Sequence, residues 1–185
     1  MCEFELFKID LRRLDEGGET FHYTLGNSFF NALENVEVRG GAVEATVEVR
    51  PVTHGCFELE LHAEGNVTVP CNLCLDDMSQ PVCADSKVIA RFGDPEAIPS
   101  ADSPYDDDVV IVDEEEGVID VSWLIYEIIA LDIPIKHVHE AGGCNPEMVK
   151  TLGEYMTTNE EEASGTHAVD PRWSDLEKLK TIIKD

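Results

Sequence analysis

The sequence predicts an α+β fold: a twisted antiparallel sheet or partly open barrel from the N-terminal half, with two helices packed on it. Three observations lead there. Residues 43–50 set Val43, Ala45, Val47 and Val49 against Glu44, Thr46, Glu48 and Arg50, the period-two alternation of a half-buried strand. Residues 121–131 are apolar on nearly every helical face, as a buried helix must be. Asp170-Pro171 then opens a stretch carrying Leu176, Leu179 and Ile183 in one stripe, with the cap and first-turn proline of a helix start.

Taken in chain order, Phe7, Ile9 and Leu11 alternate with Lys8 and Asp10 as a first strand, closed by the turn Asp15-Glu16-Gly17-Gly18. Phe21, Tyr23 and Leu25 alternate again. Ser28 to Leu33 is a short helix to be capped by Asn27 or Ser28. Val36 and Val38 lead into Gly40-Gly41, which suits a tight hairpin. Phe57 to Val69 is a long strand with Gly65 a candidate bulge, and Pro81 to Phe92 is its successor. Between these two lies Pro70-Cys71-Asn72-Leu73-Cys74-Leu75-Asp76-Asp77-Met78, so Cys71 and Cys74 are expected at a hairpin tip.

Residues 94–117 carry ten acidic residues, three prolines and no Lys or Arg. Like charges at that density oppose compaction, so the expectation is an acidic mobile insertion in a single domain spanning 1–185, with a brief strand at Val109 to Val112. The carboxylate runs lack the spaced ligands and glycine of an EF-hand loop. Asp120 caps the buried helix, at about 120–132, and Pro134 ends it. Glu127, alone in that apolar stripe, is expected to be exposed or ion-paired. The C-terminal helix covers about 171–183.

Charge bounds the function. Asp and Glu number 39 against 13 Lys and Arg, a formal net charge of −26. Nucleic-acid binding rests on Lys and Arg displacing counterions from phosphates, so an acidic chain needs a local basic patch to bind RNA. Arg172, Lys178, Lys180 and Lys184 are the only such concentration. A basic protein partner fits the balance better. No apolar run approaches the length of a membrane span, and the first residues lack a signal peptide's basic start, so a cytoplasmic location is expected, with no membrane partner.

Six cysteines in a reducing compartment point to metal or redox work before disulfides. A Cys-x-x-Cys turn aims two thiolates at one point while backbone N–H groups face the sulfurs, which is half a zinc site. Cys71 and Cys74 supply that half; His139 and Cys144 are the source of the other two ligands, with His137 as a substitute for His139. The set would be a closed, structural Cys₃His site for Zn²⁺, tying the hairpin tip to the segment after the buried helix. Two reduced thiols without metal remain the alternative. A thiol oxidoreductase needs a low-pKa thiol, usually at a helix N-terminus; here the pair lies between strands, and Asp76 and Asp77 are expected to disfavour a thiolate. Cys2, Cys56 and Cys83, and His22, His54, His62 and His167, read as structural. No G-x-S-x-G and no phosphate-binding glycine loop is present, so neither an enzyme nor a small-molecule substrate is predicted.

The succession V-P-C-x-x-C-L, acidic loop, I-D-V-S-W-L-I-Y-E-I-I-A-L-D-I-P, H-V-H-x4-C and D-P-R-W-x-x-L-x-x-L-K resembles the YceD family of large ribosomal RNA subunit accumulation proteins. The resemblance implies a non-enzymatic factor in the bacterial or organellar cytoplasm that supports accumulation of large-subunit ribosomal RNA during ribosome assembly. Its partners would be ribosomal proteins, assembly factors or the RNA itself. The family's motif cysteines fall on Cys71 and Cys74, and its later His and Cys on His139 and Cys144. Leu73 stands where the family often has Arg, and Cys144 is single where many relatives carry a pair. A zinc-stabilised interaction module with no ribosomal role is the other binding-protein reading.

Overall fold

The computed structural model describes residues 3–33, 37–53, 55–93 and 109–155. Five strands form one open mixed sheet in the order β2-β3-β4-β5-β6: β2 (Glu19–Leu25), β3 (Gly40–Thr53), β4 (Cys56–Pro70), β5 (Asp77–Gly93) and β6 (Val109–Asp113). A two-stranded ladder joins β1 (Lys8–Asp10) to β7 (Val118–Asp120). Helices α1 (Asn27–Ala32), α2 (Ser122–Asp132) and α3 (Pro146–Tyr155) complete the described elements. The α+β class is the expected one, built as an open sheet and not a barrel. Residues Met1–Val149 form one compact unit and a second begins at Lys150, within α3. No helix among the described residues is long and apolar enough to cross a membrane.

The alternation read from the sequence has a direct structural cause. Val43, Ala45, Val47 and Val49 of β3 face Leu59, Leu61 and Ala63 of β4 across an unbroken antiparallel register, and all are buried. Burying each such Leu or Val contributes roughly 1.5–3 kcal/mol. The opposite face stays wet: Arg50 pairs with Glu48 and Glu60, and Lys87 with Glu58 and Glu60, all between exposed or half-exposed side chains. Exposed pairs of this kind add little stability and keep that face solvated. Helix α2 covers β4 and β5 on the inner face with Ile125, Tyr126, Ile128 and Ile129, while α1 covers β2 and β3 with Phe29 and Phe30.

Several local expectations are corrected. Gly40-Gly41 is not a hairpin; both residues begin β3, opposite Thr68 and Val67. Gly65 is not a bulge, since the register runs through it on both sides, to Val43 and to Val82. It is needed for close approach: a Cβ there would lie 2.3 Å from the Ala42 carbonyl oxygen and 2.7 Å from Val43 Cα. Helix α1 has Gly26 at its N-cap, and Asn27 uses its Oδ1 to accept from Gly41 N–H at 2.9 Å, pinning the helix start to β3. Strand β6 pairs parallel to β5, so the sheet is not purely antiparallel. Phe7, Ile9 and Leu11 are all buried, but only Lys8–Asp10 is strand, flanked by short 3-10 turns at Glu3–Phe7 and Leu11–Arg13.

The α2 N-cap is Val121, one residue after the expected Asp120, but Asp120 Oδ1 still accepts from Ser122 N–H at 2.9 Å at the helix start, and the chain turns extended at Ile133 before Pro134. The helix is not apolar-in on every face: Trp123 is 56% and Leu131 78% exposed, and Glu127 is exposed. Helix α3 is an element beyond those the sequence pattern predicts. Its signal is Asn145-Pro146, in which Asn145 Oδ1 accepts from Glu147 N–H at 3.1 Å and proline opens the first turn. Residues 94–108 of the acidic segment and the 171–183 helix lie outside the described residues.

Candidate metal centre

The β4–β5 hairpin closes at Pro70 opposite Asp77, so residues Cys71–Asp76 form its tip, as the sequence implied. Cys71 N–H donates to the Asp76 carbonyl, and Leu75 N–H to the Cys71 carbonyl, both at 2.9 Å. These bonds fold the tip into a knuckle in which Leu73 N–H also donates to Cys71 Sγ at 3.4 Å. After α2 and Pro134, the chain returns beside the knuckle. Asn72 N–H donates to the His137 carbonyl at 2.9 Å, and His137 N–H donates to Asn72 Oδ1 at 2.7 Å. Asn145 adds a third tie through its Nδ2, 3.3 Å from Asp76 Oδ2.

That return path brings His139 and Cys144 to the two knuckle cysteines. The four donor atoms lie within 4.8 Å of one another. Cys71 Sγ and Cys144 Sγ are 3.8 Å apart; His139 Nδ1 is 3.4 Å from Cys74 Sγ and 3.8 Å from Cys144 Sγ. Ligands at about 2.3 Å (sulfur) and 2.0–2.1 Å (nitrogen) around a tetrahedral centre are roughly 3.5–3.8 Å from each other. The three pairs at 3.4–3.8 Å match that spacing, and the four residues form a group able to hold a metal ion.

The choice between the two histidines follows from their hydrogen bonds. His139 Nε2 is 3.3 Å from the Asp77 carbonyl oxygen. A carbonyl only accepts, so Nε2 carries the proton and the Nδ1 lone pair faces the thiols, the outer-shell arrangement that orients metal-binding imidazoles. His137, buried, has Nδ1 2.8 Å from the Pro134 carbonyl and Nε2 3.1 Å from the Pro70 carbonyl. Neither of its nitrogens is free for a metal. It braces the hairpin end against the post-helix loop.

Electrostatics at the cluster are split between its thiols. Burial works against ionising Cys71, but the backbone N–H groups of Cys74, Leu73 and His139, with the Cys74 thiol, outweigh it and draw its pKa down to about 5. Cys144 is pushed up to about 11 by burial, by its hydrogen bonds to Cys71 and Cys74, and by their charge. One thiolate forms readily; further negative charge is resisted unless a cation shares the site. The expectation that Asp76 and Asp77 disfavour a thiolate is corrected, because N–H donors reach the Cys71 sulfur directly. A low thiol pKa alone does not make a redox centre: Cys71 and Cys74 are 0% and 1% exposed, and disulfide exchange requires a partner to reach the sulfur. Cys56 is half-buried and Cys83 exposed, both apart from the cluster. Arg172, Lys178, Lys180 and Lys184 lie outside the described residues.

The family model described as large ribosomal RNA subunit accumulation protein YceD matches residues 59–180, a span that begins in β4 and takes in the knuckle, α2, His139 and Cys144. No curated protein and no solved structure matches. With more than half of its length covered by the family's pattern, the chain belongs to the YceD family.

Proposed function

We propose that this protein is a non-enzymatic ribosome-biogenesis factor of the cytoplasm that supports accumulation of large-subunit ribosomal RNA by binding ribosomal proteins, assembly factors or pre-ribosomal RNA. Family membership supports the ribosomal role. The observation that supports the non-enzymatic reading is the donor set itself: three thiols and one imidazole lie within 4.8 Å of one another, and if all four bound one ion they would leave no open coordination position at it for a substrate or a water nucleophile. Cys71, Cys74, His139 and Cys144 would hold Zn²⁺, which would supply a cross-link and no reaction chemistry. The knuckle thereby becomes a rigid platform at one end of the sheet, suited to presenting a binding surface.

The charge balance divides the labour between partners. A net charge of −26 favours basic proteins, while Arg172, Lys178, Lys180 and Lys184 provide the one segment suited to RNA. Neutralising those four should weaken RNA association and flatten its salt dependence; an unchanged salt slope would remove the segment from the RNA contact. The direct test of the role is affinity purification of the tagged chain from its native host. Large-subunit precursor particles should co-purify, and depleting the protein should lower large-subunit RNA relative to small-subunit RNA. Recovery of partners with no ribosomal component would favour a zinc-stabilised interaction module instead.

A further inference from the structure

The knuckle and the loop bound to it leave large apolar side chains uncovered. Leu73 is 37% and Leu75 60% exposed on the knuckle, and Ile135 is 102% and Val138 38% exposed on the loop. The two segments are joined, because Asn72 and His137 exchange hydrogen bonds, which puts Leu73 and Val138 each one residue from the same bridge. Single exposed apolar residues need no explanation, but a group of them on a braced scaffold marks an interaction site.

Leu75 adds an independent sign. Its φ of 65° is the only left-handed backbone outside glycine among the described residues. Glycine or asparagine would hold this turn with less strain, and a branched side chain there buries little of itself within the chain. Such a residue is explained by what it presents to a partner, not by what it does for the fold.

The surroundings decide the partner's chemistry. Asp76, next to Leu75, and Glu140, two residues after Val138, are exposed, Arg39 is paired with Asp77, and Lys136 is the one Lys or Arg in residues 131–145. RNA phosphates would meet carboxylates here, and the patch offers no aromatic platform on which a base could stack. An apolar centre with an acidic rim complements a segment with apolar anchors between Lys and Arg. We infer that Leu73, Leu75, Ile135 and Val138 form the docking surface for a basic, amphipathic segment of a ribosomal protein. The inference rests on the ribosomal role proposed above and names the partner class for the braced tip.

The test uses the full chain carrying Leu75→Asn with Ile135→Ser. Both side chains are exposed and asparagine suits the left-handed turn, so the variant should unfold at the same urea concentration as the parent. Immobilised parent and variant are challenged with RNA-free protein extracted from purified large ribosomal subunits, and separately with the large-subunit RNA. The parent should retain a defined set of basic proteins, and the variant should retain them about tenfold more weakly or worse. Equal retention by both, or none by the parent, overturns the inference. So does RNA binding that the double substitution abolishes, which would make the patch an RNA surface, or a parent dimer that the variant loses, which would assign the patch to a second copy. Tagged parent and variant recovered from the native host separate the two levels. Precursor particles brought down equally by both would refute the docking surface and leave the ribosomal role standing, whereas no particles even with the parent would refute the role itself.

Discussion

Replacing Cys144 with serine removes one corner of the cluster while disturbing little else, since the residue is only half-buried and sits in a loop. The consequence can be sized from the chain separations. The cluster ties Cys74 to His139 across 65 residues and Cys71 to Cys144 across 73. Closing a loop of that length in the unfolded chain lowers its entropy by an amount equivalent to about 4 kcal/mol at 25 °C. A serine hydroxyl is not a zinc ligand under these conditions, so the metal-loaded parent should be more stable than Cys144→Ser by up to that amount. With a urea dependence of about 2 kcal/mol per molar for a unit of this size, the midpoint should fall by roughly 2 M. Urea titration followed by tryptophan fluorescence reads the shift, with Cys83→Ser as a control outside the cluster. Chelator-treated parent should unfold with the variant, not with the untreated protein. A Cys144→Ser midpoint coincident with the parent's would refute a cross-brace in this protein.

Three other outcomes follow from the same geometry. Zinc uptake near neutral pH must expel the Cys144 proton, because that thiol is pushed up to about 11, whereas Cys71, drawn down to about 5, is already ionised; affinity should therefore rise about tenfold per pH unit for each proton released, and fall more steeply below about pH 5 as Cys71 protonates. Calorimetry in buffers of different ionisation enthalpy measures the proton release directly, and a pH-independent affinity would contradict the assignment. His139→Ala should abolish stoichiometric metal binding, while His137→Ala should keep the metal and lower stability by about 1–3 kcal/mol by removing the buried ring that packs between the Pro134 and Pro70 carbonyls and hydrogen-bonds there; metal analysis and urea melts of both variants check this. Gly65→Ala should cost about 1–3 kcal/mol or more, since its Cβ would meet backbone atoms of β3 that cannot rotate away; an unchanged melt would show that the strands part more easily than the spacing suggests.

What was legible in the sequence was mostly periodic or paired. Val43 to Val49 and Phe57 to Val69 declared their faces because alternation is a local consequence of the pleat. The cysteine pair reads as a hairpin tip because strands flank it on both sides, and ligand chemistry points from it to His139 and Cys144. Other features depend on contacts no local pattern encodes. The brief strand at Val109 to Val112 is legible as an apolar run between acidic flanks, but its parallel pairing with β5 is set by the path of the intervening chain, which no local pattern encodes. Gly40, Gly41 and Gly65 read as turns and bulges, yet Gly41 and Gly65 serve the close approach of β3 to β4, a cross-strand distance invisible along the chain. Helix α3 could have been read from Asn145-Pro146, the same cap-and-proline signature used for Asp170-Pro171. The ionisation of Cys71 is not legible in the sequence, because nearby carboxylates are visible there while N–H groups aimed at a sulfur are visible only in the folded knuckle.

The central claim is that Cys71, Cys74, His139 and Cys144 share one metal ion. Native mass spectrometry of the full chain, purified without chelator or added metal, with thiol alkylation under non-denaturing conditions, addresses it most directly. The account predicts one zinc per chain, with Cys71, Cys74 and Cys144 protected from alkylation until a chelator is added and exposed Cys83 reacting throughout. A metal-free chain whose three cluster cysteines react as readily as Cys83 would contradict it.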